Sequence, residues 1–388
     1  MIHRKNRFPV NSLPPFQQHF LTEEMLLFDI ETTGLSAARD FIYCIGCGYR
    51  TDDTVRIELF FAETPAQEEE ILAAFSALLN RFTTLITFNG TTFDIPFIRK
   101  RSALYDKLSA QKYLNLQQEP HLTKAADRES PAASGSAFIF IDLYREAIRM
   151  KSLLRLPSYR QKAIEQFLGC TREDKYDGGQ LIRIYRRYVS VPEPQAQSLL
   201  LLHNEEDVRG MFDLIGLLSW HQLRDGAFAI TDSFEERNET DSFYNIKICP
   251  DISFPQTIGP ITINPEYPAV QHCPCLLEKK SVLIRFPIYH GTLKHFFPDP
   301  ENYVYLPEED CTVHKSVGAF VDPAHRRKAT RQNCYSRQDC DYISIPVKTA
   351  DRFLQKEFRD ECCYLALPAQ KKDEKTFLIH YFSLFFQG

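Results

Sequence analysis

The chain alternates between short continuous apolar runs and stretches whose apolar residues recur every three or four positions. Residues 25–30 (Met-Leu-Leu-Phe-Asp-Ile) form a run with the length of a buried strand. Residues 41–49 predict a second strand and 55–61 a third. The short turn Thr51-Asp52-Asp53-Thr54 makes these two antiparallel neighbours. Thr64-Pro65 then opens a helix with Glu68, Glu69 and Glu70 in its first turn, where the backbone dipole favours anions. Ile71, Leu72, Phe75, Leu78 and Leu79 give that helix one apolar side. Residues 84–88 and 137–142 predict a fourth and a fifth strand. Further helices are expected over 95–108, 143–150, 159–168, 179–188 and 195–220, the last with Leu199, Leu202, Val208, Phe212, Leu214 and Ile215 on its apolar side. Three strands, a helix and a strand, in that order, predict an α/β layered fold around a mixed sheet.

The flanks read differently. Residues 1–24 are polar, with Pro9, Pro14 and Pro15, and are expected to form an N-terminal arm on the surface. A polar stretch from about 110 to 136 reads as a surface insertion. Beyond residue 225 helical periodicity fades, and short β-like runs cover 281–287, 292–297, 303–306 and 377–385, with Tyr289-His290-Gly291 as a hairpin turn between the first two. The expected organisation is an arm (1–24), an α/β domain (25–225) and a β-rich C-terminal module (226–388).

Composition changes this picture little. With 388 residues, 44% apolar and 25% charged, there is material for two domains. A net charge of −5 excludes a generally basic coat for nucleic acid and leaves local patches or bound metal to make such contacts. The 11 cysteines are an odd number behind a polar, charged start, which points to reduced thiols in a cytoplasm. None of their spacings has the pairing of an ordinary zinc module. No apolar run approaches the ~18 residues needed to span a membrane.

The chemistry gathers around Phe28-Asp29-Ile30-Glu31-Thr32-Thr33-Gly34-Leu35. Side chains two apart on a strand share a face, so Asp29 and Glu31 project together at its carboxyl end. Like charges that close repel, and a divalent cation with a preference for hard oxygen ligands, Mg²⁺ or Mn²⁺, is the usual remedy. The alternative is a strand that ends in a solvated turn. Asp94, whose ordinary role is to cap the helix after Asn89-Gly90, and Asp207, on the long helix, complete a set of four acids.

At these residues the chain resembles the DEDD superfamily of 3′→5′ exonucleases on the ribonuclease H-like fold. The first motif is similar to residues 28–35, the second to Asn89 through Phe93-Asp94, and the third to His203 through Asp207 in Leu202-His203-Asn204-Glu205-Glu206-Asp207-Val208. Within that superfamily it is most similar to the bacterial YprB-like ribonuclease H-like domain proteins, over roughly residues 25–220. The resemblance implies a ribonuclease H-like mixed five-stranded sheet flanked by helices. It also implies phosphodiester hydrolysis with two divalent cations, Mg²⁺ or Mn²⁺, held by Asp29, Glu31, Asp94 and Asp207. His203 is the general-base candidate, one turn before Asp207 on the same helix face. Its four-residue spacing departs from the pattern of His-using members and matches that of members using Tyr.

Thr32, Gly34, Leu35 and Asn89 are substrate-contact candidates beside the acids. Asn89 is either a partner that orients Asp94 or a plain turn residue. Arg183, Arg186 and Arg187 interleave with Tyr185 and Tyr188, and Arg326, Arg327 and Lys328 form a second basic run. Such clusters neutralise phosphates and stack on unpaired bases, or are ordinary solvated charge. Asp142 is read as a cap for the following helix, and Glu205 and Glu206 as solvated face residues. The partner expected is nucleic acid, a single-stranded DNA or RNA 3′ end. A structure-dependent endonuclease on the same fold and a non-catalytic nucleic-acid adaptor are the alternatives.

Overall fold

The computed structural model describes residues 1–105, 138–239, 241–262, 273–345, 353–360 and 362–386. The insertion expected over 110–136 lies outside them. The chain divides into two compact units: residues 1–149 with 155–219, and residues 150–154 with 220–388.

The first unit is built on six strands in the order β1-β4-β3-β2-β5-β6. These are β1 (Ile2–Pro9), β2 (Met25–Thr32), β3 (Ile42–Thr51), β4 (Thr54–Phe61), β5 (Thr84–Thr87) and β6 (Ile139–Asp142). β1 through β2 pair antiparallel along this order, whereas β2, β5 and β6 are parallel, so the sheet is mixed. The sheet has six strands where five were expected. The sixth comes from the supposed surface arm: Ile2–Pro9 pairs along its full length with Thr54–Phe61. An edge strand can be polar because one face and one edge meet water, which is why its composition reads as loop. Pro15–Phe20 adds a short helix, α1.

Alternation along β2 sorts its two faces. Leu26, Phe28 and Ile30 join the core with Ile71, Leu72, Phe75 and Leu79 of α2 (Glu68–Leu79), and with Ile95 and Ile98 of α3 (Asp94–Ser102). The Phe28 and Phe75 rings lie 5.2 Å apart. Each such fully buried side chain contributes about 1.5–3 kcal/mol. Helices α4 (Leu143–Arg149), α5 (Gln161–Leu168), α6 (Gly178–Ser190) and α7 (Pro194–Leu214) follow, with α7 packed on β2, β3 and β4. α7 approaches closely because β3 carries glycines where it crosses. A Cβ on Gly46 would lie 2.3 Å from Asn204 Oδ1, and one on Gly48 2.7 Å from the Phe212 ring. α6 begins with a reciprocal cap, Asp177 accepting from the Gln180 backbone while the Gln180 side chain accepts from the Asp177 N–H.

The second unit is β-rich. Seven antiparallel strands form one sheet: β7 (Phe228–Arg237), β8 (Ser242–Pro250), β9 (Ile258–Ile261), β10 (Cys275–Glu278), β11 (Ser281–Phe296), β15 (Tyr335–Ile345) and β16 (Cys363–Ala366). A second sheet has three strands: β12 (Tyr303–Leu306), β13 (Cys311–His314) and β14 (Arg327–Lys328). Two expectations are corrected here. The presumed turn at Tyr289-His290-Gly291 lies inside the 16-residue β11 and continues the ladder, opposite Tyr342, Asp341 and Cys340. The run at 377–385, read as a strand, falls mostly in helix α8 (Lys371–Ser383). Phe377 and Tyr381, one turn apart, pack on Phe286. A short apolar run has no clear period, and its tertiary partners decide its form.

Candidate active site

The site forms where the carboxyl end of β2 meets α7 and the start of α3. Because Leu26, Phe28 and Ile30 are committed to the α2 side, Asp29 and Glu31 face α7. Asn204 is fully buried and donates through Nδ2 to Asp29 Oδ2 at 2.8 Å. Its Oδ1 accepts from the Cys44 thiol at 3.3 Å. One residue back on α7, His203 Nε2 stands 3.3 Å from Glu31 Oε1 and 3.1 Å from Asp207 Oδ2. Tyr43 donates to the other Glu31 oxygen at 3.2 Å. Asp94 is buried in the first turn of α3 and accepts from the Ile30 backbone N–H at 3.1 Å. It does not cap that helix from outside: Phe93 holds the cap position.

The electrostatics match a cluster of mutually repelling acids. Burial raises the Asp29 pKa well above the carboxylate range, and the charges of Asp207, Asp94 and Glu31 add to it, against the Asn204 hydrogen bond. Burial likewise lifts Glu31 to about 7, opposed by His203, and Asp94 to about 7, opposed by the Ile30 N–H. Asp207 goes the other way: burial opposes ionisation, but His203 and Arg172 hold it below its ordinary value. His203 is raised to about 9, because Asp207, Glu31 and Asp174 together outweigh its burial.

Behind these residues stands a supporting layer that sequence reasoning missed. Asp174, in the loop between α5 and α6, places Oδ2 2.6 Å from His203 Nδ1. Lys162 donates to that same oxygen at 2.9 Å, and the Tyr176 N–H donates to the other at 3.0 Å. Glu206, expected to be solvated, accepts from the backbone N–H groups of Glu173 and Asp174. Arg172 bridges Asp207 Oδ1 and buried Glu165. Glu205 is also buried and accepts from Asn6 of β1 and Arg209. No spacing motif marks these partners, since they come from different segments. Only Asn204 carried a signal, lying four residues before Val208 on the buried face of α7.

The other candidates sort as follows. Thr32 is buried and donates to the Gly34 carbonyl, whereas Leu35 is 85% exposed beside the strand end. The Asn89 backbone is left-handed, its N–H donates to Asp142, and its side chain accepts from Thr92 rather than reaching Asp94. Asp142 caps α4 through the Tyr144 N–H and also accepts from Thr91, so it fixes the 89–91 turn as well. On α6, Arg186 donates to the Thr33 carbonyl at the strand end. Arg183 is exposed, and Arg187 pairs with Glu193. Tyr185 and Tyr188 are buried against Tyr43 and Phe61 and present no face to a base. Arg326, Arg327 and Lys328 belong to the second unit.

Among the described residues, Glu31, His203 and Asp207 bring ligand atoms within 4.8 Å of one another, a spacing that can hold a metal ion. Carboxylate oxygens favour a hard divalent cation and the imidazole nitrogen a borderline one, and a bound cation would offset the burial and the neighbouring negative charge that raise Asp29 and Asp94. Among the same residues no helix is long and apolar enough to cross a membrane.

A model of the RNase_H superfamily matches residues 26–219, half of the chain, and that span includes all five candidate catalytic residues. Among curated proteins, the chain is similar to the uncharacterized protein YprB of Bacillus subtilis (strain 168), 26% identical over 228 residues that cover 56% of this chain and 49% of YprB. It is also similar to a DNA polymerase of Thermococcus gorgonarius, 29% identical over 164 residues that cover 39% of this chain and 20% of the polymerase. The chain thus spans about half or less of the length of these relatives. Among solved structures, a family B DNA polymerase from Pyrobaculum calidifontis aligns with 74% of this chain and 38% of its own, at 14% identity and a TM-score of 0.34.

Proposed function

The chain belongs to the RNase_H superfamily, and from that premise we propose that it is a metal-dependent nuclease that hydrolyses phosphodiester bonds, removing nucleotides from the 3′ end of single-stranded DNA or RNA. The observation that carries this reading is the convergence of Asp29, Glu31, Asp94 and Asp207 where β2 ends against α7 and α3, with the first three raised foremost by burial and then by neighbouring carboxylates. A protein that only binds nucleic acid gains nothing from acids facing phosphate.

Asp29, Glu31, Asp94 and Asp207 would hold two divalent cations, Mg²⁺ or Mn²⁺, which supply an activated water and charge stabilisation for the leaving 3′ oxygen. Asn204 fixes the Asp29 carboxylate, and the Ile30 N–H fixes Asp94, so neither has to reorganise during the reaction. His203 receives the water's proton at Nε2. Asp207, Glu31 and Asp174 keep it protonated at neutral pH, and it becomes a base once bound cations neutralise Asp207 and Glu31. Exposed Leu35 meets the terminal nucleotide, Thr32 and Gly34 shape the loop that carries it, and Arg186 draws in a phosphate near Thr33. Asn89 and Arg183 guide the strand farther out, joined by Arg187, which pairs with Glu193 when no strand is bound. The reaction belongs in a cytoplasm, the compartment that the odd count of 11 cysteines points to.

The test is degradation of matched 5′-labelled single-stranded DNA and RNA with Mg²⁺ or Mn²⁺, with Asp29→Ala in parallel. The expected result is a metal-dependent ladder shortening from the 3′ end, absent in the variant. No cleavage of single-stranded, duplex, branched or circular substrates would overturn the proposal.

A further inference from the structure

The second unit carries one large apolar side chain that is almost wholly in water. Phe320 is 93% exposed, and Val317 nearby is 58% exposed. Neither is on a ragged terminus. Both belong to a compact knuckle built on the three-stranded sheet of β12, β13 and β14. The turn of helix Lys315–Gly318 seats Gly318 against Val304 and Val313, where a Cβ would lie 2.2 Å from Val304 Cγ2. Phe320 follows directly, its N–H donating to the Val317 carbonyl at 3.1 Å. Arg326 donates to the Gly318 carbonyl, which ties the basic run to the same knuckle. Arg327 and Lys328 then pair with Tyr305 and Val304 as β14.

Charge is distributed unevenly over this knuckle. Three of the acids around it are occupied: Glu308 pairs with His325 at 2.9 Å, Asp310 with Arg337 at 3.0 Å, and Asp322 accepts from the Ala324 N–H at 2.9 Å. Lys315, Arg327 and Lys328 are exposed, and among the described residues none has an ion-pair partner. The neighbouring aromatics are occupied too. Tyr303 stacks on Phe297 at 4.6 Å, and Tyr305 and Tyr335 both donate to Asp310. Val304 packs on Gly318 and pairs with Lys328, so Lys328 shares the helix side of this sheet, and Arg327, one residue before it, points to the other side. An exposed aromatic ring on a knuckle with the unpaired cations Lys315 and Lys328 is the combination that takes an unpaired base together with its flanking phosphates.

We infer that this knuckle is a nucleic-acid contact of the second unit: Phe320 stacks on an unpaired base, and Lys315 and Lys328 neutralise the adjoining phosphates. It deepens the nuclease reading and rests on it for the class of partner. It differs in needing no metal, because none of its groups is a carboxylate facing phosphate. Each side chain is at the surface, so the substitutions that test it leave the core untouched.

The experiment is fluorescence anisotropy of the full chain with labelled single-stranded oligothymidylate and oligouridylate, in EDTA so that nothing is cleaved. Phe320→Ala is expected to weaken binding about tenfold, the loss of one base–aromatic stack. Phe320→Trp is expected to keep the affinity, with its emission quenched on strand binding while buried Trp220 stays constant. Replacing Lys315 and Lys328 together by Ala is expected to flatten the slope of log K against log salt by about 1.4, at ~0.7 per phosphate, whereas Arg327→Ala is expected to leave it nearly unchanged. Unchanged affinity in Phe320→Ala and an unchanged salt slope in the double variant, or no strand binding by the parent protein in EDTA, would overturn the inference and mark the knuckle as a contact for another protein. The Asp29→Ala degradation result is independent of either outcome, so failure of this surface and failure of the nuclease reading are distinguishable.

Discussion

Asp174 Oδ2 lies 2.6 Å from His203 Nδ1, on the side of the imidazole opposite Glu31 and Asp207. The contact fixes both the ring's orientation and which nitrogen faces the acids. Buried Asp174 is itself held by Lys162 and by the Tyr176 N–H. A carboxylate behind a working histidine sets its tautomer and raises its basicity. Asp174→Asn should therefore lower kcat about 10–100-fold with little change in KM, and move the acid limb of the pH–rate profile, where His203 loses its proton, to lower pH. A variant with parental kcat and profile would reduce Asp174 to a packing role.

The acids strain the metal-free protein. Asp94 is buried and lifted to about 7, so near-neutral folding must either hold a proton or bury a charge. Asp94→Asn keeps an acceptor for the Ile30 N–H and removes that charge. We expect it to abolish metal-dependent degradation while raising metal-free stability at about pH 8 by on the order of 1–3 kcal/mol. Thermal melts in EDTA beside the degradation assay check both halves. A variant that is inactive and less stable would show that Asp94 serves the fold rather than the chemistry.

Stability and pH are linked in a definite direction. Glu31 and Asp94 rise from ordinary values of 4.5 and 3.8 to about 7. Over that window the folded protein holds protons that the unfolded chain has released, so metal-free stability falls as pH rises. His203, raised from 6.5 to about 9, contributes stability that is complete below 6.5 and lost as pH climbs through about 9. Asp207 and Asp174 act oppositely, losing their contribution as pH falls below the carboxylate range. Cation binding needs the deprotonated acids. Mg²⁺ should therefore raise the melting temperature more at about pH 8 than at about pH 6. An equal shift at both would argue against these acids as the ligands.

Close packing of α7 on β3 makes a structural prediction. In Gly46→Ala, the new methyl would meet Asn204 Oδ1 at 2.3 Å and Val208 Cγ2 at 2.7 Å. A cost of about 1–3 kcal/mol is expected from overpacking, together with lost activity as Asn204 is pushed from Asp29. Denaturant unfolding and the degradation assay measure both. An unchanged midpoint would contradict the close approach of helix and strand.

Local pattern alone determined much of this protein. Period-two alternation in β2 puts Asp29 and Glu31 on one face whatever surrounds the strand. A four-residue step on a helix puts His203 beside Asp207, and the two-residue turn at Asp52-Asp53 makes β3 and β4 neighbours. Such relations depend on a few bonds of backbone geometry, so the chain carries them in its own periodicity. Tertiary structure decided the rest. It turned polar Ile2–Pro9 into an edge strand, because backbone hydrogen bonds to β4 need no apolar side chains. It made a helix of Lys371–Ser383 by offering Phe286 to Phe377 and Tyr381. It buried Tyr185 and Tyr188, which sequence alone offers equally to a base or to a core. It also brought Asp174 and Arg172 to α7 from a loop about 30 residues away in sequence, and Asn204 to Asp29 from far beyond β2. Partners that distant share no period, and only the folded chain puts them within hydrogen-bonding reach.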